Sequence, residues 1–222
     1  MIRTRLRWPA AVLASALTIA SLTGCGGSDD KKKDAGSEPS SEASSAPESS
    51  STPSETPTEP EATTVDFGKP AKGPKIRGNG YRFRVPASWV EDTAGAKELD
   101  GDIDTAAWER DGKDGFRNNV AVTYIVASGG DLDGLEESIT EQLTAEASKL
   151  ETLDRVFIDA RPATHHRGTM KASPAPYLLD QYAVIDDEGR VTVIGFSYPT
   201  TLAAKKRDAI TNSILASWKW TS

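Results

Sequence analysis

The chain has 222 residues, with 26 Lys+Arg, 33 Asp+Glu and a formal charge of −7. A net-acidic chain lacks the basic footprint of a nucleic-acid binder, and a single cysteine, Cys25, excludes an internal disulfide, so any core must rest on packing alone. The charge is uneven: residues 1–24 hold three arginines and no acid, residues 26–66 hold ten acids against three lysines, and residues 67–222 hold 20 basic and 23 acidic residues.

Residues 1–24 have the three parts of a secretory signal: Arg3, Arg5 and Arg7, then a nearly wholly apolar run from Trp8 to Leu22, then small residues. The run is shorter than the roughly 20 apolar residues of a comfortable membrane span. Leu22-Thr23-Gly24-Cys25 resembles the lipobox cut by lipoprotein signal peptidase, and Gly26-Gly27-Ser28 gives a modified terminus a loose start. Cys25 is therefore the expected lipidation site. Its thiol would form a thioether to diacylglycerol, and its freed amine would be open to a further acyl chain such as palmitate. At about 0.8 kcal/mol per buried methylene, two chains suffice for stable anchoring. The expected location is the extracytoplasmic face of a cell membrane, with the lipid anchor as the membrane contact.

Residues 25–66 are expected to form a disordered Ser/Glu/Pro/Thr-rich tether. The stretch 26–66 has no aromatic residue and one β-branched aliphatic, Val65, so it lacks the apolar surface to offset its ordering entropy. A flexible coil of this length reaches about 35 Å. Its Ser/Thr-Pro composition also resembles O-glycosylated stalks.

Residues 67–222 are expected to be one α+β domain, long enough to bury about two thirds of its unfolded surface. Tyr81-Arg82-Phe83-Arg84-Val85 alternates as a strand ended by Pro86, with Trp89 in a following turn. Residues 105–110 and 119–127 predict two strands joined by a polar turn, the second with Val120, Val122, Tyr124 and Val126 on one face. A helix follows, with Asp133 and Glu136 as its capping box and Leu135, Ile139, Leu143, Ala147 and Leu150 as its apolar stripe. Residues 153–159 and 163–171 predict a strand pair turning at 159–162. Tyr177–Ile185 and Val191–Tyr198 predict a hairpin turned through Gly189, and a helix from Leu202 to Trp218 closes the chain. Short connections with two helices predict an antiparallel sheet covered by helices.

Gly80-Tyr81-Arg82-Phe83-Arg84-Val85-Pro86-x-x-Trp89, with this order of strands and helices behind an export signal, resembles PsbP-like domains and is similar to LpqN-type actinobacterial lipoproteins over about residues 78–220. The resemblance implies a twisted antiparallel sheet sandwiched by helices. It implies a binding or accessory module, carries no catalytic residues across, and implies no cofactor.

Three motifs argue against common chemistries. Gly68-x-x-x-x-Gly73-Pro74-Lys75 lacks the Lys-Ser/Thr and following helix of a phosphate loop, and Pro74 removes an amide donor. Asp100-Gly101-Asp102-Ile103-Asp104 alternates carboxylates as calcium loops do, but offers Thr105 and Asp111 where such a loop needs glycine and a bidentate glutamate. His165 and His166, the two histidines, point to opposite faces of a strand and cannot chelate together. With no Gly-x-Ser-x-Gly elbow the chain is expected not to be an enzyme, a degenerate hydrolase being the residual alternative. Trp89, Trp108, Tyr124, Trp218 and Trp220 are expected mostly in the core, Trp220 partly exposed.

One pattern suggests an interface. Arg161, His165, Arg167 and Lys171 share a parity on the strand 163–171, a candidate cationic ladder for an anionic partner such as an envelope protein, cell-wall polymer or lipid headgroup. The bland reading is an exposed strand blunted by charge. The expected function is thus a non-enzymatic envelope module on a tether, with a carrier for a small apolar or lipidic ligand between sheet and helix as the alternative.

Overall fold

A computed structural model describes residues 61–112, 116–126, 131–171 and 175–221. The expected signal segment, Cys25 and the tether up to residue 60 lie outside the described residues.

In chain order the described residues form β1 (Lys75–Gly78), β2 (Tyr81–Arg84), β3 (Trp89–Glu91), α1 (Thr93–Lys97), β4 (Ile103–Glu109), β5 (Asn119–Val126), α2 (Leu132–Glu146), β6 (Ala147–Ile158), β7 (Arg161–Met170), β8 (Tyr177–Ile185), β9 (Arg190–Pro199), α3 (Ala204–Leu215) and β10 (Lys219–Trp220). Seven strands make one sheet, ordered β3-β4-β5-β9-β8-β7-β6, and β1-β2-β10 make a second. Strand pairs in both sheets are antiparallel. The α+β class and antiparallel pairing agree with the sequence reading.

Alternation along the strands assigns each helix its own face of the large sheet. Tyr177, Leu179 and Ala183 of β8 and Val191 and Val193 of β9 pack with Leu132, Leu135, Ile139 and Leu143 of α2. Tyr182, Val184, Ile194, Phe196 and Tyr198 turn the other way, toward Ile214 and Leu215 of α3. The expected helical sandwich needs a correction there. The α3 face is shared with the small sheet, whose Ile76, Tyr81 and Phe83 enter the same core.

Several elements differ from expectation for local physical reasons. Helix α2 starts earlier, because Asp131 rather than Asp133 caps it and accepts from the Gly134 amide at 2.8 Å. Asp133 and Glu136 are drawn instead to Arg155 on β6, at 2.5 and 2.8 Å. The helix ends at Glu146, not Leu150. Ala147 is already extended, Lys149 has φ 53° and the β6–β7 register shifts beside it. Leu150 still packs with the α2 cluster, from the strand side. Trp89 belongs to β3, and α3 stops at Leu215, three residues before Trp218.

The β6–β7 turn is tighter than expected. Its two linking residues, Asp159 and Ala160, both have positive φ, 47° and 70°. Gly189, at φ 73°, turns the β8–β9 hairpin as the sequence indicates. Residues 61–66, assigned by sequence to the tether, include Thr63. It forms a parallel bridge to Val156 on the outer side of β6, donating to Arg155 O at 2.8 Å and accepting from Phe157 N at 3.1 Å.

Candidate anion-binding face

Of the four cations of the β7 ladder, His165 and Arg167 turn to an internal carboxylate, Arg161 is partly buried and Lys171 is exposed. His165 is buried, and its Nε2 lies 2.8 Å from Asp180 Oδ1. Arg167 donates from Nε and Nη2 to the two Asp180 oxygens at 3.3 and 3.2 Å, and from Nη2 to Asp208 on α3 at 3.4 Å. Arg161 lies over the Trp220 ring at 4.8 Å and 4.0 Å from Asp186. Lys171 follows the last residue of β7, its amide bonded to Glu146 O.

Asp180, fully buried on β8, is the hub. Thr211 donates to its Oδ2 at 3.4 Å, so the 2.7 Å contact between Tyr198 and Thr211 has the phenol as donor. Burial pushes the Asp180 carboxyl up, but the hydrogen bonds and charges of His165 and Arg167 outweigh it and hold the group below the ordinary carboxylate range. His165 also stacks on Tyr182 at 4.1 Å. In an acyl-transfer triad the hydroxyl stands on the imidazole, with the carboxylate behind it. Here the Thr211 hydroxyl stands on the carboxylate, with the Tyr198 phenol behind it. The cluster pins α3 to the sheet.

On the α2 face His166 is fully buried, with Nε2 3.0 Å from Thr140 Oγ1. Thr140 spends its hydrogen on Glu136 O at 2.8 Å, so the imidazole must donate from Nε2. Its Nδ1 is buried and has no partner among the described residues. Burial, only partly offset by the nearby Glu136 charge, depresses the imidazole to about 4.

Charge that is not spent internally collects on the small sheet. Ile76, Tyr81 and Phe83 point inward, so Lys75, Arg77, Arg82 and Arg84 point out and are exposed, joined by exposed Lys219 of β10. Register sets Lys75 opposite Arg84, and Arg82 opposite both Arg77 and Lys219. Among the described residues only Lys219 of these five meets a carboxylate, that of Asp159. The Lys75 amine is pushed below its ordinary value, first by Arg77 and then by desolvation, Arg82 and Arg84.

Rigid packing stands beneath this face. The Trp218 ring stacks on Tyr81 at 4.8 Å and on Phe83 at 4.9 Å, and the Tyr81 hydroxyl donates to Asp104 at 2.8 Å. The Asp104 carboxylate also accepts from Asn79 N, so the 100–104 stretch anchors the small sheet to β4. Gly73 lies so near the Val85 and Pro86 carbonyls that a Cβ would come within 2.5 Å of them. That close approach seats the 69–75 loop, and the Arg84 guanidinium donates to Gly73 O at 2.9 Å.

A groove of about 550 Å³ runs between this loop, β2 and the end of α3, with Lys72, Lys75, Arg82, Arg84 and Lys219 around it. A second groove, of about 520 Å³, adjoins it, with Val65, Phe67, Phe157, Leu215 and Trp218 in its walls beside Asp159 and Lys219. Ala216 and Lys219 line both. Sequence reasoning missed the basic groove because its cations come from three strands whose register no local pattern reveals. The one hint was the Arg82/Arg84 parity within the strand 81–85. Among the described residues no group of three or more His, Cys, Asp or Glu side chains is placed to hold a metal ion, and no helix is long and apolar enough to cross a membrane.

No protein family model matches the chain, and no curated protein matches it. Among solved structures, the chain is similar to LpqN, involved in cell envelope biogenesis of Mycobacterium tuberculosis, at 12% identity and TM-score 0.49, over 66% of this chain and 87% of that one. It is similar to cyanobacterial PsbP of Synechocystis at 10% identity and TM-score 0.45, over 64% and 87% of the two chains. A protein of Bacteroides thetaiotaomicron matches at 13% identity and TM-score 0.45 over 68% of this chain, which spans 49% of that protein.

Proposed function

We propose that the chain is a lipid-anchored, extracytoplasmic and non-enzymatic binding module. Cys25 and the tether of residues 25–66 hold it at a cell membrane, and the β1–β2–β10 face engages an anionic envelope partner. One observation carries the binding half of this reading. Lys75, Arg77, Arg82 and Arg84 crowd an exposed, rigidly backed sheet without a carboxylate in ion-pair range among the described residues, while Arg167 of β7 is matched by Asp180 and Asp208. Cations set directly across a ladder destabilise the sheet, and a bound polyanion relieves that repulsion. The anchoring half is supported by the signal-like segment that ends at Cys25.

Inorganic polyphosphate is a suitable probe. The mature chain is expected to bind it in a salt-sensitive way, and Lys75→Glu/Arg82→Glu/Arg84→Glu is expected to lose that binding. Equal binding by the triple variant would overturn the reading. For the anchor, detergent-phase partitioning that is the same for wild type and Cys25→Ala would remove lipidation from the account. The carrier reading finds support in the second groove, which lies at the end of α3 rather than between a helix and the sheet.

A further inference from the structure

We infer that the anionic partner is a phospholipid bilayer, touched by the cationic sheet face and the adjoining second groove together. This rests on the anion-binding reading above and names its partner. Three features on one edge of the domain favour a bilayer over a soluble polyanion. The first is the sharing of Lys219 and Ala216 between the two grooves, which sets apolar surface beside the cations, the one acid in the second groove's lining being Asp159, paired with Lys219. Interfacial membrane binding needs that combination, apolar insertion together with attraction to anionic headgroups. A polyphosphate or acidic protein needs the charge alone.

The second feature is a pair of side chains at the second groove, Val65 in its wall and Trp220, whose ring lies 5.5 Å from that of Trp218 in the same wall. Val65 is 39% exposed, one of two large hydrophobics so exposed among the described residues. Trp220 is half-buried, with its indole N–H on Ile158 O at 2.8 Å and Arg161 over its ring. A tryptophan tied at its polar end beside lysine and arginine suits the headgroup level of a bilayer. The third is chain direction. Thr64, Val65 and Phe67 line the second groove, so the first described residues of the domain lie on this same edge.

The test compares vesicles of phosphatidylcholine, with and without phosphatidylglycerol, against inorganic polyphosphate at matched phosphate. It uses the mature chain with Cys25→Ser so that no acyl chain contributes. Sedimentation with the anionic vesicles is expected, weakened by about tenfold or more in Arg82→Glu/Arg84→Glu and little changed in Lys205→Glu/Lys206→Glu, which reverses exposed charges on α3. Val65→Asp is expected to weaken vesicle binding while leaving polyphosphate binding intact. Three of the four tryptophans after Cys25 are buried, at 7% exposure or less, so quenching by shallow spin-labelled lipid reports on Trp220 and is expected. Polyphosphate binding without vesicle binding, or vesicle binding with neither quenching nor Val65 dependence, overturns the bilayer and leaves the anion face standing. Binding to neither probe overturns both readings.

Discussion

Arg82 stands directly across the β1–β2 ladder from Arg77, and across the β10 ladder from Lys219. Like charges in directly opposed positions oppose folding, whereas opposite charges there contribute roughly 0.2–1 kcal/mol per pair. Arg82→Glu therefore has two expected effects of opposite sign. Anion binding falls, and the thermal midpoint rises. Calorimetry beside polyphosphate titration checks both. A variant that loses binding because it is unstable would contradict the placement of these cations.

His166 makes stability depend on pH. Its folded value of about 4 lies below the ordinary 6.5, so between the two the unfolded chain binds the extra proton. Stability contributed by the neutral imidazole is complete above about pH 6.5 and lost as the pH falls toward 4, by up to about 3 kcal/mol. The buried Nδ1 has no acceptor waiting for that proton among the described residues. Asp180 adds its own loss only lower, as the pH drops below its ordinary 3.8. Urea midpoints across this range are expected to decline in the wild type and to flatten in His166→Gln. An equal slope in both would reject the assignment.

Asp180→Asn strands Arg167 and His165 beside a neutral group in a buried site. Breaking a buried ion pair at one partner costs about 3–5 kcal/mol. Thr211→Val removes one neutral donor to the same carboxylate and is expected to cost about 1 kcal/mol. Hydrogen exchange should show the loss as faster opening of α3, because Asp180, Arg167 and Asp208 link that helix to the sheet. Comparable denaturation midpoints for the two variants would argue against the hub.

Ala160 sits at φ 70° with its side chain in a conformation that suits glycine. Ala160→Gly is expected to stabilise the domain by about 1 kcal/mol, since release of left-handed strain outweighs the added freedom of the unfolded chain. A lower melting temperature in this variant would show the turn to be relaxed as it stands.

Local patterns carried much of the fold. Alternation over residues 81–85, the apolar stripe of α2 and the Gly189 turn each lie within a few residues, where periodicity and φ preference act directly. What escaped depends on partners distant in the chain. Arg167 and His165 look like surface cations until β8 brings Asp180 beneath them. Asp133 and Glu136 have the spacing of a capping box, and Arg155 on the next strand claims them both. The short strands β1, β3 and β10 have too few residues for a period to show. The cationic face joins β1 and β10 to β2, so it becomes visible only with register.

Strand β10 pairs with β2 through Lys219 and Trp220, far along the chain from their partners Arg82 and Tyr81. Nearly the whole domain therefore lies between two neighbouring strands of the small sheet, and closing so long a loop is slow. Whatever order the large sheet follows, the face that carries Arg82 and Lys219 forms late, once Lys219 and Trp220 can pair with β2. Until then Tyr81 and Phe83 lack Trp218 and stay uncovered. The domain acquires its charge pattern and closes its core in the same closing step, so an incomplete chain would be both sticky and blind to its partner.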